Sequence, residues 1–296
     1  MDVQTISSQS NAMMISQSPP RVWAFQSTRN AAMAGYLMQA YEPVSLAEMD
    51  SVALLKRVDT KYVLHVGQFF QVLNGLQDHY HVLAVQGNRI SRYDNIYFDT
   101  PEFKLYHQHH NERSNRYKVR ARQYVDSDTT YLEVKHKNNR GLTIKSRIET
   151  AEIARSFSGK HGDFLAQCYP YEARQLRPVL TNDFMRITLV SQDRIERLTL
   201  DMNIGISKDW NQGSFPMMIV AEVKQEQFSF DSAFMQQMRM MNIKPQRFSK
   251  YCLGITRLYP QLKQNRFKPR NLMVERIMHQ GMGYEYISQA FTQFFI

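Results

Sequence analysis

Residues 116–150 alternate charged and apolar side chains with a period of two, and that alternation constrains the fold more than any other stretch of the chain. One parity collects Lys118, Arg120 and Arg122, then Glu133, Lys135 and Lys137, then Thr143, Lys145, Arg147 and Glu149. The other collects Val119 and Ala121, Leu132 and Val134, then Leu142, Ile144 and Ile148. Period two is the mark of a β-strand, whose successive side chains point to opposite faces. The turns between the runs, VDSD (125–128) and NNRG (138–141), are too short for crossover helices, so the three strands form an antiparallel meander.

This pattern places cations about 6.5–7 Å apart along each strand, with like charges beside them on the next. Two readings fit it. In one, the charged parity is the solvated side of a half-exposed sheet. In the other, the sheet curls with its charged face inward and its apolar face covered by helices, which leaves a polar channel that a polyanion neutralises. The same parity recurs elsewhere. It groups Arg57, Asp59 and Lys61; Arg197, Thr199 and Asp201 against Leu198 and Leu200; and Glu222 and Lys224 against Ala221 and Val223.

Further strands are predicted at 57–65, 92–100, 183–190, 194–201 and 217–225, and helices at 67–78, 151–168, 230–241 and after 245. The expected class is α+β, an antiparallel sheet of about eight strands, either half-exposed or curled into a β-barrel tunnel with helices packed outside. Residues 1–42 hold no acid between Asp2 and Glu42, and they read as a flexible N-terminal extension or a transit-type segment, with a helix beginning near Trp23. A single domain follows over 43–262, and 263–296 reads as a C-terminal helix or tail.

The 37 Lys and Arg against 27 Asp and Glu give a net charge of +10, which points to an anionic partner. Cys168 and Cys252 are in no metal-ligand spacing, which argues against a disulfide framework or zinc site. No apolar run reaches the roughly 18 residues of a membrane span; the nearest, FPMMIVAEV, is too short, and a cytoplasmic location is expected.

Seven segments, in order, carry a resemblance: RVDTKY (57–62), YFDT (97–100), LYHQHHN (105–111), RYKVRARQY (116–124), LEVKHK (132–137), AEVK (221–224) and FSKY (248–251). Together they resemble the VTC domain, the polyphosphate polymerase module of the triphosphate tunnel metalloenzyme (CYTH-like) superfamily. The resemblance implies a tunnel barrel lined with basic and acidic groups. It implies phosphate binding by Lys61, Lys118, Lys135, Lys145, Arg147, Lys224 and Ser249, and charge stabilisation during transfer by Arg120, Arg122, Arg186, Arg197 and Lys250. Glu222 is the implied ligand of Mn²⁺ or Mg²⁺, and Glu133 is left between metal ligand and salt-bridge partner.

Members of the CYTH type open with E-x-E-x-K, whereas Arg57, Asp59 and Lys61 stand here, which favours the VTC branch. A stand-alone module of bacterial type is expected, without an SPX regulatory domain or membrane helices. The implied reaction moves the γ-phosphate of ATP onto a growing inorganic polyphosphate chain. The alternatives are a triphosphatase acting on inorganic triphosphate, a nucleotide or an RNA 5′ end, and a non-catalytic polyphosphate-binding module; nucleic acid is not the expected partner. The histidines of YHQHH (106–110) and Asp99 of YFDT are read as packing and hydrogen-bonding residues ahead of metal ligands.

Overall fold

The computed structural model describes residues 21–51, 57–151 and 157–280. In chain order its elements are α1 (Arg21–Met38), β1 (Pro43–Val44), α2 (Leu46–Ser51), β2 (Val58–His65), α3 (Val66–Asn74), β3 (Tyr80–Leu83), β4 (Ser91–Asp99), α4 (Lys104–His110) and β5 (Arg116–Tyr124). There follow β6 (Thr129–Lys137), β7 (Thr143–Thr150), α5 (Gly159–Cys168), β8 (Arg177–Ser191), β9 (Glu196–Lys208), β10 (Asn211–Phe215), β11 (Met218–Gln225), α6 (Ala233–Met240), α7 (Lys250–Leu258) and α8 (Lys268–His279). The class is α+β, as the alternation predicts. The short strands β1, β3 and β10 and the helices α2 and α4 carry too little periodicity to be anticipated.

The main path of the sheet runs β2-β11-β9-β8-β4-β5-β6-β7, every neighbour antiparallel. Its ladder is not closed, since β2 and β7 end the path. It is nevertheless strongly curved. Strands lie about 4.8 Å apart, so in a flat sheet β2 and β6 would be roughly 29 Å from each other. Instead the Lys135 ammonium on β6 is in electrostatic reach of Lys61 and Asp59 on β2. The N-terminus of α7 likewise touches β5 and β9 together, through Lys118–Ser249 and Lys250–Asp201.

The curl puts the charged parity inside. Val119, Ala121, Leu132 and Val134 are buried on the outer face with Leu165 of α5 and Leu105 of α4. A larger core joins the outer faces of β2, β9 and β11 to α1, α3, α6 and α8. In this protein the apolar stripe therefore faces helices and the polar stripe faces the hollow, the reverse of a small solvated sheet.

Two expectations need correction. Residues 1–20 lie outside the described residues, but 21–42 are no loose extension. Ala34, Leu37, Met38 and Tyr41 are buried in the main core, Asn30 donates to Pro216 O at 2.7 Å, and Asn203 donates to Ser27 O at 2.7 Å. The buried residues of α1 have apolar partners, so docking outweighs the entropy of a free segment. Nor do all helices pack outside. α7 lies within the curl: Tyr251 meets Tyr97 with ring centroids 5.2 Å apart, and Lys250 lies 4.1 Å over Phe184. The approach is close enough that a Cβ on Gly254 would come within 2.6 Å of Leu180 Cδ2.

Candidate active site

Register aligns the interior side chains of β5, β6 and β7 in rows across the sheet. One row is Arg122–Tyr131–Glu149, the next Arg120–Glu133–Arg147, and the third Lys118–Lys135–Lys145. Continuing round the curl, β4 adds Asn95 opposite Arg122 and Tyr97 opposite Arg120. On the far wall Arg186 faces Asp201, Lys224 faces Arg197, and Glu222 lies between Thr199 and Lys61.

Three carboxylates organise these cations. Glu133 Oε2 accepts from Arg120 Nε at 2.7 Å and pairs with Nη2 at 2.6 Å, while Oε1 pairs with Lys145 Nζ at 2.5 Å. Asp201 takes a bidentate grip from Arg186, Nε to Oδ1 at 2.5 Å and Nη2 to Oδ2 at 2.8 Å, and its Oδ2 also holds Lys250. Glu222 pairs with Lys61 through Oε2 and with Lys224 through Oε1. Each node thus carries two cations on one carboxylate and keeps a surplus positive charge. The crowding of cations that the sequence implied is met in part by these nodes, the ligand being left to neutralise only the excess.

Burial disfavours ionisation of all three acids, but the adjoining cations prevail. Glu133 is drawn down to about 2 by Arg120, Arg122 and Lys145, and Asp201 and Glu222 fall well below the usual carboxylate range. On Arg120 and Arg186 the partners likewise prevail and raise the guanidinium, but on three of the lysines burial wins. Lys118 and Lys250 are pushed down to about 8 by desolvation, with further repulsion from neighbouring cations. Lys135 is also lowered to about 8; its side chain reaches water, yet protein walls and the charges of Lys61 and Lys118 surround it. Among the described residues Lys118, Arg122, Lys135 and Arg147 have no carboxylate within ion-pair distance. Arg122 instead donates from Nε to Asn95 Oδ1 at 2.8 Å and lies 5.1 Å over Tyr93.

The expected residues therefore largely converge, with distinctions the sequence did not give. Ser249 caps α7, accepting from Cys252 N, and receives the Lys118 ammonium at 2.9 Å; it positions a lysine and the helix entrance. Arg197 stands on the inner parity of β9 but leans toward Met49 Sδ at 3.6 Å, four residues along the strand from Asp201. It lies apart from the Arg186–Asp201–Lys250 node. Asp201 itself, Asn95, Tyr97 and the aromatic residues were given no role from sequence. The alternation that grouped Asp201 with Arg197 and Thr199 was the signal available for it.

The metal reading divides. Glu133 is 2% exposed, with Arg120 on one oxygen and Lys145 beside the other, a placement that fits its salt-bridge alternative. Glu222 is 22% exposed and reaches the hollow. No three His, Cys, Asp or Glu side chains come together as a metal cluster among the described residues. Glu222 fits the mode in which Mg²⁺ or Mn²⁺ is held by one carboxylate plus substrate phosphates.

Asp99 is a cap rather than a ligand: it accepts from the backbone N–H of Thr100, Leu105 and Tyr106, each at 2.8 Å, and from Tyr251 Oη at 2.5 Å. His109 bonds Tyr117 O at 3.0 Å; burial, with the cation Lys118 beside it, pushes its imidazole down to about 2.

The VTC domain family model matches residues 56–259. No curated protein matches the chain. Among solved structures, a putative adenylate cyclase of Bacillus halodurans is 16% identical with a TM-score of 0.46, covering 69% of this chain and 97% of that one. A protein of Pyrococcus horikoshii is 12% identical, TM-score 0.41, over 69% and 99% of the two chains. A putative adenylyl cyclase of Hippeastrum, described as revealing a dominant triphosphatase activity, is 14% identical with a TM-score of 0.42, over 68% and 95%. No helix of the described residues is long and apolar enough to cross a membrane.

Proposed function

The chain belongs to the VTC domain family, and on that premise we propose that it is a polyphosphate polymerase using ATP. A bond forms from the terminal oxygen of the acceptor chain to the γ-phosphorus, the bond from that phosphorus to the β–γ bridging oxygen breaks, and ADP leaves. Such a step asks the protein for alignment and charge neutralisation rather than a nucleophilic side chain. Arg120, Arg122 and Arg186 supply forked donors suited to phosphate oxygens, and Lys61, Lys118, Lys135, Lys145, Lys224 and Lys250 supply mobile point charges. A divalent cation on Glu222 would add charge neutralisation at the phosphates, with Lys61 and Lys224 free to turn from the carboxylate onto phosphate oxygens.

The observation that favours growth over hydrolysis is the state of the interior acids. Glu133, Asp201 and Glu222 are each held between two cations with lowered proton affinity. Such carboxylates are poor bases for activating water, whereas a chain-end phosphate arrives already anionic. The alternative reading is a triphosphatase with the same site, favoured by the exposure of Glu222 to the hollow.

Incubation with ATP and Mn²⁺, with products separated on a gel, tests both. Long phosphate chains are expected. Free phosphate without chains would replace the proposal by the triphosphatase, and bound but unchanged ATP would reduce the protein to a binding module.

A further inference from the structure

The two ends of the three-strand rows differ in chemistry. The third row is all lysine, Lys118, Lys135 and Lys145. Beyond Arg122, at the other end, the inner face turns aromatic. Tyr124 and Tyr131 are half-buried, meet edge to face with centroids 5.9 Å apart, and Arg147 lies 4.7 Å over the Tyr131 ring. Arg122 lies 6.0 Å over Tyr124. Glu149 stands directly opposite Tyr131, its Oε2 accepting from Tyr131 Oη at 3.4 Å.

The ring faces of an aromatic ledge offer inorganic phosphate nothing to bind, and the Arg147 guanidinium lies over one of them. A carboxylate is worse, because Glu149 repels any free polyphosphate that enters at this end. Both suit a nucleoside: the rings and the guanidinium stack on a base, and the carboxylate accepts from a ribose hydroxyl or an exocyclic amine. Register then sets the reach. Arg122 is directly opposite Tyr131, and Arg120 lies about 7 Å further along β5. A nucleotide whose base rests at Tyr131 presents its phosphates to Arg122 and Arg120 in succession.

We propose that Tyr124, Tyr131, Arg147 and Glu149 form a nucleobase and ribose site at one mouth of the channel, so that a nucleoside triphosphate enters there, base outward, with its phosphates running toward the lysine row. This rests on the reading of the channel as a nucleotide-using site and names the part that tells a nucleotide from bare triphosphate.

The test compares the affinities of ATP and inorganic tripolyphosphate by calorimetry in the wild type, Tyr131→Leu, Tyr131→Phe and Glu149→Ala. Loss of one stacking contact is expected to weaken ATP relative to tripolyphosphate by about tenfold in Tyr131→Leu. Tyr131→Phe, which retains the ring, keeps the wild-type ratio and controls for folding. Glu149→Ala is expected to shift the ratio the same way while tightening tripolyphosphate. A ratio that changes less than about twofold in both Tyr131→Leu and Glu149→Ala overturns the site. If neither ligand binds the wild type, the site and the proposed function fall together. If the ratios shift as expected but no phosphate chains form from ATP, the nucleoside site stands and the polymerase reading alone falls.

Discussion

Glu133→Gln separates the structural and ligand-binding demands on the channel. The carboxylate is 2% exposed and holds Arg120 from one oxygen and Lys145 from the other. Its side chain titrates near 2 against an ordinary value of 4.5, a shift worth about 3 kcal/mol at 1.36 kcal/mol per unit. Breaking a buried ion pair costs about 3–5 kcal/mol by an independent measure, because the remaining charges stay buried. The amide keeps the shape and part of the hydrogen bonding, so about 3 kcal/mol is expected. For a chain of this size that lowers Tm by roughly 6–12 °C.

The pH dependence has a definite sign. A carboxyl whose folded value is depressed contributes stability that is complete above its unfolded value of 4.5 and is lost as pH falls through about 2. Glutamine does not titrate in this range. The gap between wild type and variant, followed by circular dichroism melts from pH 7 downward, should therefore close as pH approaches about 2. Tripolyphosphate should restore more Tm to the variant than to the wild type, since it replaces the missing anion beside Arg120 and Lys145. A loss of less than about 2 °C at pH 7, or a gap that persists on acidification, refutes the account of this node.

Glu222→Ala should abolish turnover with ATP and Mn²⁺ while retaining polyphosphate binding, measured by product gels and calorimetry; undiminished turnover removes Glu222 from the metal assignment. Tripolyphosphate affinity should decline as pH rises through about 8, where Lys118 and Lys250 lose their protons, and binding near that pH should take up protons, read from calorimetry in buffers of different ionisation enthalpy. An affinity flat from about pH 7 to 9 contradicts those lowered values. Asp99→Ala leaves three buried N–H groups and the Tyr251 hydroxyl without their acceptor, so stability should fall by about 3 kcal/mol, with the Mn²⁺ dependence of any activity unchanged. A change in apparent Mn²⁺ affinity would return Asp99 to the metal site.

Period two in 116–150, with short turns, determined three antiparallel strands and assigned every side chain to one of two faces, because strand geometry admits no other arrangement. It also grouped Asp201 with Arg197, and Glu222 with Lys224, and it did so correctly. What it left open was the direction of the charged face, since parity is identical for a solvated sheet and a curled one. That choice belongs to tertiary structure: α5 and α4 cover Val119, Ala121, Leu132 and Val134, and burial of that apolar face turns Lys118, Arg120 and Arg122 inward. Pairings between distant strands were equally out of reach. Lys250 and Asp201 are 49 residues apart and Lys61 and Glu222 are 161 apart; the β2–β11 ladder sets Lys61 beside Glu222 and the docking of α7 brings Lys250 to Asp201, and both are tertiary packing rather than local pattern. The N-terminus of α7 enters the hollow for the same reason, through packing of Gly254 against Leu180, a contact no local pattern announces. The sequence by itself determined which residues share a face; the pairing order of the strands and the docking of α7 decided which of them neutralise one another and which are left for a ligand.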